Sequence, residues 1–92
     1  MNAKLTMEPY GVGLLGTGKV LVGSTLHIEP NEDSPLPFQA PVLVRFQEPP
    51  VAGVPASGEL FTSHPHLTGW MDGRRFELRF RDQLVARGEF AR

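Results

Sequence analysis

The sequence predicts an all-β fold, a small six-stranded antiparallel β-barrel or a compact sandwich, from three observations. Nine prolines and ten glycines among 92 residues disfavour helices, because a helix interior tolerates neither residue well. Short stretches in which apolar and polar residues alternate recur at spacings of about 10–15 residues, with proline and glycine between them. No stretch keeps a helical period over three turns. A chain of this length forms a single domain, residues 1–92.

The first two thirds of the chain contain four predicted strands. They are residues 2–7, 19–28, 41–47 and 58–63. Gly23 interrupts the second strand and marks a candidate β-bulge, because glycine is common where a strand gains an extra residue. The segment Gly11–Gly18 is predicted to be a flexible loop in which glycines adopt positive φ angles. Residues 29–37 and 48–57 are both rich in proline and are predicted to be loops.

The last two predicted strands form a hairpin that extends to Phe90. On the outgoing strand, Phe76, Leu78 and Phe80 alternate with charged residues, which places one row inside and the other in water. Asp82 and its polar neighbours mark a tight turn. On the returning strand the alternation predicts two rows, one of Leu84, Ala86, Gly88 and Phe90 and the other of Val85, Arg87 and Glu89.

The segment Asp72-Gly73-x-Arg75-Phe76-x-x-Arg79, followed by Val85 and Gly88, resembles the closing hairpin of the third domain of elongation factor Tu. Upstream, Ser63-His64-Pro65 is similar to a His-Pro pair that precedes the hairpin in that family. The resemblance covers residues 63–90 and implies a six-stranded antiparallel β-barrel. In the family, this barrel contacts tRNA and docks against the GTPase domain and other proteins. These residues include no GTPase domain, so the resemblance implies no nucleotide hydrolysis.

The chain departs from the family at two places in the hairpin. Arg81-Asp82-Gln83 stands where the family has a pair of glycines, and Ala86-Arg87 stands where the family prefers small residues. These departures bear on contacts with RNA and with a nucleotide-binding domain rather than on the fold.

Arginine is concentrated in the hairpin, whereas the chain as a whole is nearly neutral. The net charge of −1 does not indicate a nucleic-acid binder, but residues 70–92 carry +2 against −3 for residues 1–69. The candidate partner-binding residues are the only tryptophan and five arginines: Trp70, Arg74, Arg75, Arg79, Arg81 and Arg87. Arginines on one strand face can bind carboxylates or phosphates, and the alternative role is cross-strand pairing with Glu77 and Glu89. Trp70 either caps the barrel end or anchors a partner.

Two glycine motifs match nucleotide-binding patterns without the context that those patterns require. Gly11–Gly16 fits the dinucleotide fingerprint, but a strand rather than a helix is predicted to follow it. Gly13–Lys19 begins like a P-loop, but Val20 stands where a hydroxyl for Mg²⁺ is needed. The sequence therefore predicts no nucleotide cofactor.

Histidine and serine also fail to form a convincing chemical site. His27, His64 and His66 lack cysteine or placed carboxylates to complete a zinc site, so no metal is predicted. Ser63 and His64 are neighbours, and on a strand they would point to opposite faces rather than form a nucleophile–base pair. The sequence therefore predicts no enzymatic activity.

The expected function is a non-catalytic binding module that engages a protein partner through a barrel face. One alternative is an RNA-binding accessory that uses the same arginines, and another is a small-ligand or enzyme-subunit role for the Gly11–Gly18 loop. The apolar region between Val12 and Val22 is broken by glycines and Lys19, unlike a signal peptide or a membrane span. With no cysteine, the chain is expected to be cytoplasmic. The balanced charge and the broken apolar region predict that it binds neither DNA nor membranes.

Overall fold

The computed structural model describes residues 1–28, 38–62 and 73–91, and over these residues the chain forms six strands and one short helix. The elements are β1 (Asn2–Met7), α1 (Pro9–Leu15), β2 (Val20–Ile28), β3 (Phe38–Phe46), β4 (Pro55–Phe61), β5 (Arg75–Phe80) and β6 (Gln83–Phe90). The predicted loop at residues 29–37, the Ser63-His64-Pro65 motif and Trp70 lie outside the described residues. No helix in the described part of the chain is long and apolar enough to cross a bilayer.

The six strands close into an antiparallel barrel in the order β1-β4-β3-β2-β5-β6. Strands β2, β3 and β4 form a meander, and β1 lies beside β4, which is the arrangement of a Greek key. The β5–β6 hairpin completes the circle, because β5 pairs with β2 and β6 pairs with β1. The predicted six-stranded antiparallel barrel is thus confirmed, and the sandwich alternative is not.

The barrel interior is filled by the inward row of each strand. Burial alternates along β3 from Ala40 to Phe46, as the period of two requires. The rings of Phe76 and Phe90 lie 4.5 Å apart between centroids and close one part of the core. The side chains that are fully shielded from water include Leu5, Leu26, Val44, Leu78 and Val85. Burial of these apolar surfaces is the main force that stabilises a barrel of this size.

The bulge predicted at Gly23 is present in β2. Leu21 pairs with Val44 and Ser24 pairs with Val42, so that Val22 and Gly23 together oppose a single residue of β3. Gly23 has a φ of 83°, a conformation that glycine adopts without a steric penalty. The extra residue turns both Leu21 and Ser24 toward the interior and leaves Val22 on the outside.

The prediction of a flexible loop over Gly11–Gly18 was wrong for its first part, because Pro9–Leu15 forms helix α1. Pro9 occupies the first helical turn, where its fixed φ favours the helix and its missing N–H costs nothing. Gly11 is buried against β6, and this tertiary contact outweighs the low helix propensity of glycine. Gly16, with a φ of 68°, ends the helix.

The predicted rows of the last strand were wrong at Val85 and at Leu84, which pairs with the outward-facing Arg79 rather than joining the row of Ala86. The register of β5 and β6 shifts so that Leu78 pairs with Ala86 and Arg79 pairs with Leu84, which leaves Val85 as an extra residue. Its side chain is buried rather than aligned with the exposed Arg87. The Val85 carbonyl oxygen accepts a hydrogen bond of 2.9 Å from the Glu8 amide, which fixes the start of α1.

Two strands also begin three residues earlier than predicted. Strand β3 begins at Phe38 because its first residues pair with the end of β2. Strand β4 begins at Pro55, within the predicted loop, because Pro55–Ser57 pairs with β1. In both places the partner strand extends the element beyond what the local alternation indicates.

Candidate functional site

The structure brings four of the six predicted site residues to the outer surface of the β5–β6 hairpin. These four residues are Arg75 and Arg79 on β5, Arg81 in the turn and Arg87 on β6. Arg74 is half-buried just before β5, and its carbonyl oxygen accepts a hydrogen bond of 2.9 Å from the Phe90 amide. We define the arginine face as the outer surface formed by Arg75, Arg79, Arg81 and Arg87.

Glu77 lies at the centre of the arginine face. Its Oε1 atom is 3.2 Å from Nη2 of Arg79, and its Oε2 atom is 3.6 Å from Nε of Arg87. Arg87 is the cross-strand partner of Glu77 in the β5–β6 register. The cross-strand pairing considered from the sequence is therefore present at Glu77. These ion pairs are partly exposed, so each contributes at most about 1 kcal/mol to stability.

Arg75 and Arg81 are the more available cations of the arginine face. Arg75 stands opposite Glu89 in the register, and Arg81 holds its guanidinium 5.3 Å from the ring centroid of Phe80. Both residues are exposed, and neither forms an ion pair within the part of the chain that the structure describes. A partner could therefore bind these two arginines without breaking an existing salt bridge.

The hairpin turn is as tight as predicted, and it has an unusual composition. Phe80 pairs with Gln83, so the turn contains only Arg81 and Asp82, with φ angles of 51° and 63°. Two successive positive φ values are characteristic of a type I′ turn, which prefers Asn-Gly or Asp-Gly. At positive φ the side chain of any residue other than glycine crowds its own backbone. Arg81 therefore adopts its conformation in the turn at an energetic cost.

Replacing Asp82 with glycine is expected to stabilise the protein by about 1 kcal/mol, because glycine adopts a positive φ without steric crowding. Urea unfolding followed by circular dichroism would measure the change. Gln83→Gly is the control, because residue 83 begins β6 and has no positive φ; there glycine should destabilise. Equal effects of both substitutions would contradict the assignment of strain to the turn.

A second outer face, not predicted from the sequence, lies on β2, β3 and β4. Val22, Leu43 and Phe61 form a row across the three strands, because Val22 lies in the bulge opposite Leu43 and Leu43 pairs with Phe61. All three side chains are exposed. One feature of the sequence could have revealed this face. Leu43 and Phe61 occupy outward-facing positions of their strands, which are usually polar.

The structure also shows where the glycines of the two nucleotide-binding motifs and one of the candidate metal-binding histidines lie. Gly11 and Gly13 lie inside helix α1, whereas a phosphate-binding loop would precede the helix that it opens. His27 lies on β2 between Gln39 and Glu77 in the register, and His64 and His66 are outside the described residues. Within residues 1–28, 38–62 and 73–91, no group of three or more His, Cys, Asp or Glu side chains could hold a metal ion.

The similarity to elongation factor Tu stays a prediction from the sequence. The described part of the similar segment is the β5–β6 hairpin, whose strands and turn lie where the sequence predicts them. Comparisons with models of protein families, with curated proteins and with solved structures found no match to this chain.

Proposed function

We propose that the chain is a non-catalytic binding module that engages a protein partner through the arginine face of its barrel. The main support is that Arg75 and Arg81 are exposed on a well-positioned hairpin. Its strand β6 pairs with β5 on one side and with β1 on the other. Arginine is favoured at protein interfaces because its planar guanidinium binds carboxylates in a bidentate manner and stacks on aromatic rings. The resemblance to a translation-factor domain that docks against proteins supports the same function.

The distribution of charge on the arginine face favours a protein partner over RNA. Glu77 and Glu89 alternate with the arginines, so a phosphate backbone that approached the face would meet carboxylates as well as cations. A protein surface can carry the complementary alternation of charges, which provides specificity and orientation. The chain, with a net charge of −1, also lacks the excess of basic residues that is typical of a nucleic-acid binder.

The ion pairs of the face would assist such binding by holding side chains in place. Arg79 contacts both the Glu77 carboxylate and the carbonyl oxygen of Asp82, the latter at 3.5 Å from Nη1. A side chain that is already ordered loses less conformational entropy when a partner binds. In this proposal Arg75 and Arg81 bind carboxylates of the partner, and Trp70 provides an aromatic anchor.

The test is capture of partners from lysate by the tagged chain, with and without ribonuclease, followed by measurement of affinity for the protein recovered. We expect a protein that is retained after ribonuclease treatment. The double variant Arg75→Ala, Arg81→Ala should bind it at least about tenfold more weakly, because interface arginines are frequent hot spots. Lys19→Ala, which removes an exposed cation from the connection between α1 and β2, should bind normally.

Two outcomes would contradict the proposal. If the double variant and wild type captured the same protein with equal affinity, the arginine face would not be the binding surface. If all captured material were lost after ribonuclease treatment, the RNA-binding alternative would replace the proposal. Its affinity should then fall steeply as salt is raised, because binding to phosphates releases counterions.

A further inference from the structure

We infer that the outer surface of β3 and β4 pairs with a second copy of this chain. The surface contains two adjacent rows. The apolar row consists of Val22, Leu43 and Phe61, and the charged row consists of Arg45 and Glu59. This inference concerns a different face from the proposed function and does not depend on it.

The apolar row exposes more hydrophobic surface than an outward strand face requires. The exposed fractions are 64% for Val22, 36% for Leu43 and 43% for Phe61. A shallow groove of about 450 Å³ adjoins the row and is lined in part by Pro41, Leu43 and Phe61. A contiguous apolar patch that is grooved and bordered by polar residues is typical of a protein–protein contact.

The charged row indicates which partner fits. Nη2 of Arg45 lies 2.7 Å from Oε1 of Glu59, and the Arg45 guanidinium lies 5.4 Å from the ring centroid of Phe61. The side chains of this pair are 61% and 38% exposed, so both charges remain accessible from outside. One cation and one anion side by side on neighbouring strands form a pattern that is complementary to a rotated copy of itself.

A two-fold axis that runs parallel to β3 and β4, and between them, satisfies both rows together. It places Leu43 against Phe61 of the second copy, and it places Arg45 against Glu59 of the second copy. An axis along β3 would instead place the two Arg45 side chains against each other. The same operation buries Leu43 and Phe61 and converts two exposed ion pairs into a network of four charges.

The remaining surface is compatible with this pairing. Strand β3 is three strands away from β6 in either direction around the closed barrel, so the arginine face stays accessible in the pair. The net charge of −1 per chain produces little long-range repulsion between copies. Self-association and binding through the arginine face can therefore occur together.

Sedimentation velocity of the full chain, from low micromolar to millimolar concentration, tests the inference. Wild type should shift from monomer to dimer as concentration rises. Leu43→Glu should weaken dimerisation at least about tenfold, because it buries a carboxylate in an apolar contact. Val51→Glu is the control, because Val51 is also exposed but lies in the β3–β4 connection, and it should dimerise as wild type does. Circular dichroism would verify that each variant is folded.

Charge reversal tests the identity of the occupant. Arg45→Glu and Glu59→Arg should each prevent dimerisation alone, since every charge at the contact would then have the same sign. An equimolar mixture of the two variants should form heterodimers, because each charge then meets its opposite across the axis. A wild type that remains monomeric throughout, a dimer that Leu43→Glu leaves intact, or a mixture that remains monomeric would overturn the inference.

Discussion

Gly11→Ala is expected to destabilise the protein by about 2–3 kcal/mol, whereas Gly13→Ala in the same helix should stabilise it by about 0.5–1 kcal/mol. A methyl group on Gly11 would collide with the carbonyl oxygen of Val85 and would lie 2.7 Å from its Cγ1 atom. It would also lie 2.9 Å from the Cε atom of Met7. By contrast, a methyl group on Gly13 would meet nothing within 4 Å.

The collision at Gly11 cannot be relieved by side-chain rotation alone, since one of the obstructing atoms belongs to the backbone of β6. That carbonyl oxygen also accepts the hydrogen bond from the Glu8 amide, so a shift of α1 would weaken the contact that positions the helix. Overpacking of a close contact typically costs about 1–3 kcal/mol, and a small barrel has little stability in reserve. At Gly13, alanine only adds helix propensity.

Urea unfolding of the two variants and wild type, followed by far-ultraviolet circular dichroism, would measure both effects. The two substitutions are chemically identical and two positions apart, so their opposite signs would isolate the contact between α1 and β6. If Gly11→Ala were as stable as wild type, the observed packing of α1 against Val85 would be incorrect. A cost for Gly13→Ala would contradict the assignment of that residue to an exposed helical position.

Gly88→Ala is expected to destabilise the protein by about 2 kcal/mol, and more than Gly58→Ala does. Gly88 pairs with Leu5 of β1 and with Phe76 of β5, so it lies where the barrel closes. A methyl group there would lie 2.8 Å from the carbonyl oxygen of Lys4 and 3.0 Å from Cε1 of Phe76. The Phe76 ring packs on Phe90 and cannot move away freely.

Gly58 provides the matched comparison on β4. A methyl group at Gly58 would come closest to Cδ1 of Leu5, at 2.9 Å, which is the end of a flexible side chain. The other neighbours, Val44 and Phe46, would be at 3.4 and 3.5 Å. Rotation of Leu5 can therefore absorb much of the change. Thermal or urea unfolding of both variants would test the order, and a Gly58→Ala cost equal to or larger than that of Gly88→Ala would contradict it.

Much of the barrel follows from local patterns in the sequence. The alternation of Phe76 and Leu78 with charged residues, and the polar turn at Asp82, were sufficient to predict the β5–β6 hairpin. Gly23 correctly marked the bulge of β2. These features depend on neighbouring residues only, because the side-chain period of a strand and the φ preference of glycine are local properties.

The candidate site was predictable in its composition but not in its pairing. The arginine-rich hairpin was evident from the sequence, yet only the side-chain positions in the structure show that Glu77 binds both Arg79 and Arg87 and leaves Arg75 and Arg81 available. The apolar row was missed because Val22, Leu43 and Phe61 lie on three separate strands. No local pattern indicates that three such residues will be neighbours.

The sequence by itself determined the all-β class, most of the strands, the tight turn and the concentration of arginine at one end of the chain. Only the tertiary structure decided that Pro9–Leu15 is helical, that Val85 is buried and that β1 lies beside β4. The physical reason is the range of the interactions. Strand alternation and turn preference depend on adjacent residues, whereas the helix depends on space that Gly11 leaves for a strand more than seventy positions away along the chain.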